Sequence, residues 1–414
     1  MYKIEKQRDN FSVRNTVLII SVFLMIYVTS SYNINVISGT ITMVVCLCCG
    51  LFVMLAGGKN KISQQLLLNV ILLCCCVLIT SLIAGDSMKD AIIMISAILI
   101  SMLFVIGLDY KKYCEIYTNI ILIIAVYSLV AYILSIIAPP LIRLFPAAYY
   151  RPGLETYNLG LTFVNLRTNL IRNMGIFWEP GAYQTYLVFA ILIELFLLKT
   201  TRRYALIAYA LALITTWSTT GIINGLILLL IFIIYKNKNS KMKSVKIITT
   251  ITILAIIIVS IYSILPYNIQ YAAIGKITVY LASNNTNISS ASVRLDSIIY
   301  PLRAYLSSPI IGVGYSGLSD SILTAGHTMT TATPINWFAA YGIVFGLLCC
   351  IAVFRFARKL NNSPLLLILI IFAILLSIST EQYLRNISII VFLLYGLSEP
   401  AYSKLTREKV ERVF

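Results

Sequence analysis

Apolar residues in this chain fall in long, nearly unbroken runs, not in the period-two alternation of a half-buried strand or the narrow stripe of a surface helix. A helix crossing the ~30 Å hydrocarbon core of a bilayer needs about 20 apolar residues. Against that length, twelve segments are candidate spans: 15–32, 36–57, 64–84, 88–108, 114–137, 181–198, 204–218, 221–235, 247–265, 335–354, 363–380 and 387–400. The stretch 204–235 tests the count. As one helix its 32 residues would run about 48 Å at ~1.5 Å per residue, too long for the membrane. The pattern therefore predicts two short helices that turn at WSTTG (217–221), with the turn below the surface and shielded by protein.

Polar residues concentrate in two connections, 138–180 and 266–334; the others are short, and no internal repeat is visible. The expected architecture is a single all-α integral membrane domain over 1–414.

Composition agrees. The chain is 59% apolar and 11% charged, with a mean hydropathy of +0.91, far from a soluble domain at roughly 45–50% apolar and about 25% charged. The net charge of +17 raises the question of nucleic acid, and its distribution answers it. With the amino terminus on the cytoplasmic side, 23 Lys/Arg fall inside and 9 outside. That positive-inside bias fits a bacterial inner membrane with both termini cytoplasmic and both long loops periplasmic, and no nucleic-acid partner is expected. The first apolar run follows a basic start without a small-residue cleavage site, so it is read as a retained anchor. All nine cysteines lie in or beside apolar runs, which implies no disulfide framework and no metal site.

The two long loops hold seven basic residues (Arg143, Arg151, Arg167, Arg172, Lys276, Arg294, Arg303) against four carboxylates (Glu155, Glu179, Asp296, Asp320). A net-positive outer face suits an anion, and the planar fork of arginine suits phosphate. The stretch RNMGIFWEPGA (172–182) sets Arg172, Trp178 and Glu179 at the doorstep of an apolar run. One reading is an interfacial ion pair with Trp178 in the aromatic belt, contributing ~0–1 kcal/mol. The other makes Arg172 a phosphate ligand and Glu179 a proton acceptor.

In the second loop, SASVRLDSIIYPLRAYLSSPIIGVGYSG (290–317) predicts a short surface helix capped by Ser292 and kinked or ended by Pro301, carrying Arg294 and Arg303. Gly312 and Gly314 fit G-x-G-x-x-G, but no preceding strand or βαβ unit supports a dinucleotide site. They are read as letting the backbone approach the membrane or a phosphate. His327, the only histidine, is a candidate base or donor and a poor metal ligand. Glu194, inside a span, is expected to snorkel toward the basic cluster around Lys199. No Asp-x-Asp pair, Walker A sequence or external Ser-His-Asp set is present.

Three stretches, RNMGIFWEPGA (172–182), Arg294 through SSPIIGVG (307–314), and GHTMTTATPINWFAAYGIVFG (326–346), together resemble the O-antigen polymerases of the Wzy type, within the wider polymerase and ligase group. Arg303 followed by ten residues and Gly314 also resembles the arginine–glycine loop motif of such polymerases. The resemblance covers nearly the full length, with about twelve helices and two large periplasmic loops. It implies a GT-C-like, metal-independent membrane glycosyltransferase without cofactor, acting on undecaprenyl-pyrophosphate-linked glycan donor and acceptor among membrane lipids, with a chain-length-regulating copolymerase as an expected partner. By position, Arg172, Arg294 and Arg303 would grip pyrophosphate, with Arg167, Trp178, Gly312 and Gly314 lining the substrate, while Glu179 and His327 would serve the acceptor. Thr328 follows His327 where relatives often carry Asn or Ser. Ligases tend to show Pro-Asn where this chain has Glu179-Pro180-Gly181, which favours a polymerase. A lipid-linked sugar flippase is the alternative from another class; such proteins usually show intramembrane charges and internal symmetry.

Overall fold

A computed structural model describes residues 13–35, 37–58, 62–148, 155–166, 170–198, 200–237, 248–249, 252, 263, 290–324, 326 and 330–398. In chain order the described helices are α1 (Val13–Ser30), α2 (Gly39–Gly57), α3 (Gln64–Ile83), α4 (Met88–Gly107), α5 (Tyr110–Ile137), a single turn α6 (Pro139–Ile142), α7 (Pro180–Phe196), α8 (Arg203–Thr215), α9 (Thr219–Lys236), α10 (Ser290–Ser307), α11 (Gly314–Leu323), α12 (Thr333–Leu360), α13 (Pro364–Ile378) and α14 (Ile387–Leu397). Two short antiparallel strands, β1 (Thr156–Asn158) and β2 (Phe163–Asn165), pair Tyr157 with Val164.

Seven of these helices (α1 to α5, α9 and α12) are long and apolar enough to cross a membrane; α7, α8, α13 and α14 are apolar but shorter. The chain is thus a polytopic, mostly helical membrane protein. Eleven of the twelve predicted segments coincide with an apolar helix, and the twelfth, 247–265, is described only at residues 248–249, 252 and 263. The predicted split of 204–235 is present: α8 ends at Thr215 and α9 begins at Thr219.

Large apolar side chains such as Leu68, Ile71, Leu82 and Ile123 stand exposed along the outer helices, the surface a bilayer would cover. At the centre runs α7. It is largely apolar and buried from Gly181 to Leu195, as an interior helix must be. Buried tyrosines on and around it include three whose hydroxyls are partnered. Tyr117 donates to the Tyr186 carbonyl at 2.9 Å, Tyr209 to the Thr118 carbonyl at 2.6 Å, and the Tyr183 and Ser128 hydroxyls bond at 3.0 Å.

Near the other end of α7, Glu194 meets the basic cluster as expected, but it is fully buried and does not reach the surface to do so. Arg202 reaches in instead: its Nη2 lies 2.7 Å from Glu194 Oε2 and its own backbone N–H donates to Oε1 at 2.7 Å. The Arg202 Nη1 also donates to Asn119 Oδ1 at 2.5 Å. Paired and hydrogen-bonded on both sides, the two charges survive at that depth.

α12 is broken. Gly342 has φ +77° inside the helix, so the bond that Ile343 N–H would make to the Ala339 carbonyl is open. The segment 309–313 fills the gap: Ile343 N–H donates to the Pro309 carbonyl at 2.9 Å, and Val313 N–H donates to the Ala339 carbonyl at 2.9 Å. A Cβ on Gly342 would collide with the Ile310 carbonyl, and one on Gly312 with the Ala340 carbonyl. Non-helical backbone at this depth is tolerated where other protein groups satisfy it, and here one loop does so twice.

Candidate functional site

Six connections meet at one end of the bundle. Ser31 bridges to Phe177, Asp86 bonds α11, Arg172 bonds Thr216, Arg294 bonds Thr220, Trp178 bonds Glu381, and Asn386 bonds Thr29. The long loop before α7, the α8–α9 turn, α10 and the 379–386 connection therefore share one polar layer.

Arg172 is fixed from below. Its neighbour Asn173 docks on the end of α8, with N–H to the Thr215 carbonyl at 2.9 Å and Nδ2 to Thr215 Oγ1 at 3.1 Å. Arg172 Nε then donates to the Thr216 carbonyl at 3.0 Å. Burial holds its pKa below the ordinary arginine value; the Glu179 carboxylate pulls it up, Arg294 pushes it down, and Glu381 pulls it up again. Glu179, Arg294 and Glu381 thus all lie close enough to act on Arg172. Arginine remains charged throughout. Arg294 comes from α10 and donates to Thr220 Oγ1 at 2.6 Å. Thr216 and Thr220 flank the α8–α9 turn, so the two arginines reach one short stretch from two different loops.

Pro180 stands at the first position of α7 and Glu179 at its N-cap, in extended conformation with its carbonyl accepting from Ala182 and Tyr183 N–H. Pro180 thus leaves no donor unsatisfied. Phe177 is buried on Tyr186, ring centroids 4.3 Å apart, while Trp178 is half-buried and tilted on Tyr383 at 5.7 Å.

Other predicted residues lie apart from this group. α10 is longer than the predicted short helix: it runs through Pro301 to Ser307, and Ser292 falls in its first turn, not at a cap. Arg303 sits nine residues beyond Arg294, on the opposite face at about 100° per residue. It is exposed, over the Tyr300 ring at 5.5 Å. Gly312 is taken up by the α12 break, and Gly314 (φ +78°) lies against Asp86, whose Cγ would be 2.6 Å from a Cβ there. The glycines meet protein backbone and a carboxylate in this structure. Arg167 and His327 lie outside the described residues.

Sequence reading missed the 379–386 connection. Glu381 Oε2 accepts the Trp178 indole N–H at 3.1 Å. Gln382 Nε2 donates to the Tyr315 hydroxyl at 3.1 Å. Arg385 pairs with Asp90 at 2.7 Å and stacks on Tyr315 at 3.2 Å. Asp86 also escaped notice: its carboxylate accepts Tyr315 N–H at 2.8 Å and Ser316 N–H at 2.9 Å, pinning the start of α11 to the α3–α4 turn. The available signal was TEQYLRN (380–386), a carboxylate, an amide and an arginine packed between two apolar runs.

Among the described residues no three His, Cys, Asp or Glu side chains group as a metal site. What the cluster offers is paired cationic donors beside carboxylates, an arrangement suited to holding an anion and moving a proton. No protein-family model matches the chain, and no curated protein or solved structure matches it either.

Proposed function

We propose that this chain is a GT-C-like membrane glycosyltransferase with twelve spans, its polar layer facing the periplasm of a bacterial inner membrane, and that it polymerises undecaprenyl-pyrophosphate-linked repeat units. The observation that carries the reading is the convergence of Arg172 and Arg294 on Thr216 and Thr220 beside Glu179. In the proposed reaction an acceptor sugar hydroxyl attacks the anomeric carbon of the growing glycan. The carbon–oxygen bond to pyrophosphate breaks, and undecaprenyl pyrophosphate leaves with the bonding pair. Arg172 and Arg294 neutralise the leaving group through preorganised donors, a role a metal ion plays in other transferases. Glu179 takes the hydroxyl proton, the ordinary task of a general base.

The test is incubation of the purified protein with lipid-linked repeat units, with and without EDTA, followed by a product gel. A ladder in both conditions supports the proposal. Transfer only to a lipid A–core acceptor makes the protein a ligase, and movement of the lipid across vesicles without joining makes it a flippase.

A further inference from the structure

Glu381 is held more firmly than a solvated side chain in a short connection. Oε2 accepts the Trp178 indole N–H at 3.1 Å. Oε1 packs over the first turn of α7, so close that a Cβ on Gly181 would stand 2.5 Å from it. The Glu381 carbonyl accepts from Thr333 Oγ1 at 2.8 Å, and that oxygen accepts Tyr383 N–H at 2.8 Å. The main chain at 381–383 is therefore tied to the start of α12, and the carboxylate is placed by backbone as well as side chain.

An indole N–H in an interfacial belt is normally satisfied by water or headgroups. Here it is given to a carboxylate. A carboxylate at this depth is favourable because Arg172 lies within its field and the N-terminus of α7 points its dipole at it. Tyr383, the ring that packs on Trp178 at 5.7 Å, is buried, and Trp178 is half-exposed. The arrangement yields a ring of fixed orientation, with open surface, close to a guanidinium suited to phosphate. That is the chemistry that recognises a phosphate-linked sugar: the C–H face of a pyranose covers the apolar ring while its anionic substituent meets the arginine.

We propose that Glu381 is a positioning residue that locks the Trp178 indole as the stacking platform for the sugar ring next to pyrophosphate. The proposal rests on the glycosyltransferase reading for the identity of the substrate. Glu381 acts through the indole N–H, so its effect should vanish when that N–H is absent.

A double-mutant cycle tests this, using the full chain and the lipid-linked repeat units that accumulate in cells deleted for it. Glu381→Ala should raise KM about tenfold and leave kcat within about threefold, at normal protein level. Trp178→Phe should do the same, and the double variant should be no worse than either single one. Glu381→Gln, which keeps an acceptor oxygen for the indole, should restore KM to near the wild-type value. Additive losses, a fall in kcat at constant KM, or a Gln variant as impaired as Ala would each overturn the proposal. Wild-type protein that makes no ladder overturns the polymerase reading instead. The positioning role then stands or falls on tryptophan fluorescence. Binding of the same lipid should quench wild-type emission and leave Trp178→Phe and Glu381→Ala unchanged; equal quenching in all three would sink it.

Discussion

Arg294 Nη1 stands 2.6 Å from Thr220 Oγ1, joining α10 to the first turn of α9, and Arg172 meets the end of α8 at the Thr216 carbonyl. If both hold pyrophosphate, lysine should fail at each position, because it keeps the charge and loses the paired donors. We expect Arg172→Lys and Arg294→Lys to lose ladder formation at normal membrane protein level. Near-normal ladders from both would return them to the role of interfacial anchors contributing ~0–1 kcal/mol.

Glu179→Gln keeps the side-chain size and the N-cap of α7 while removing the proton acceptor. The expected loss of rate is ~10²–10⁴-fold, with binding of the lipid-linked unit retained. Full ladders from this variant would shift the base to His327.

The break in α12 predicts a stability phenotype unconnected with chemistry. Gly342→Ala places a Cβ against the Ile310 carbonyl at a φ that costs roughly 1–3 kcal/mol in backbone conformation alone. Membrane levels and thermal stability should both fall. Gly39→Ala, where a Cβ meets nothing within 4 Å, is the matched control and should be silent.

Burial works to raise the pKa of Asp86, but the hydrogen bonds from Ser316, Tyr315 and Ser87 prevail and hold it below its ordinary value of 3.8. A depressed carboxylate contributes stability that is present above the unfolded value and lost as pH falls through the folded one. Docking of α11 should therefore be intact at neutral pH and weaken only below about pH 4. Asp86→Asn should loosen it at pH 7, seen as faster proteolytic cleavage between 310 and 330. Equal cleavage of variant and wild type at pH 7 would leave Asp86 without this role.

Orientation is open to direct labelling. A cysteine at position 158, in β1, and another at 287 should react with a membrane-impermeant maleimide added from outside. Cys46, Cys49, Cys114 and Cys349 are buried, but Cys48 and Cys75 are exposed, so the labelling uses a cysteine-free background. Protection at both positions would invert the topology.

The helices were legible because an apolar run near bilayer length has few alternatives, and the 204–235 split followed from its length together with the basic clusters at both its ends. The Arg172–Glu179 stretch was legible because charge is rare beside such a run. Glu381 was not, since its contact with Trp178 joins residues 203 positions apart and depends on which helices neighbour α7. Glu194 was read in part: it does meet the basic cluster, through Arg202, but it stays buried in doing so. Its distance from the helix end suggested snorkelling, whereas Arg202 folds back onto it from the following turn. The α12 break left only glycines as a trace, and the segment that fills it lies thirty residues upstream.

That upstream position has a consequence for biogenesis. The clip formed by Pro309 and Val313 is translated before the helix it enters. When Ala339 and Ile343 are made, the segment that satisfies their open hydrogen bonds has already been made. α12 can then enter the bilayer as a continuous helix only from Ile343 onward, about 27 Å to Leu360 at ~1.5 Å per residue. The residues before the break are left to assemble with the loop. The order of synthesis thus supplies the template first and the helix second, and a circular permutation that reversed it would ask Ala339 and Ile343 to enter lipid with their backbone groups exposed.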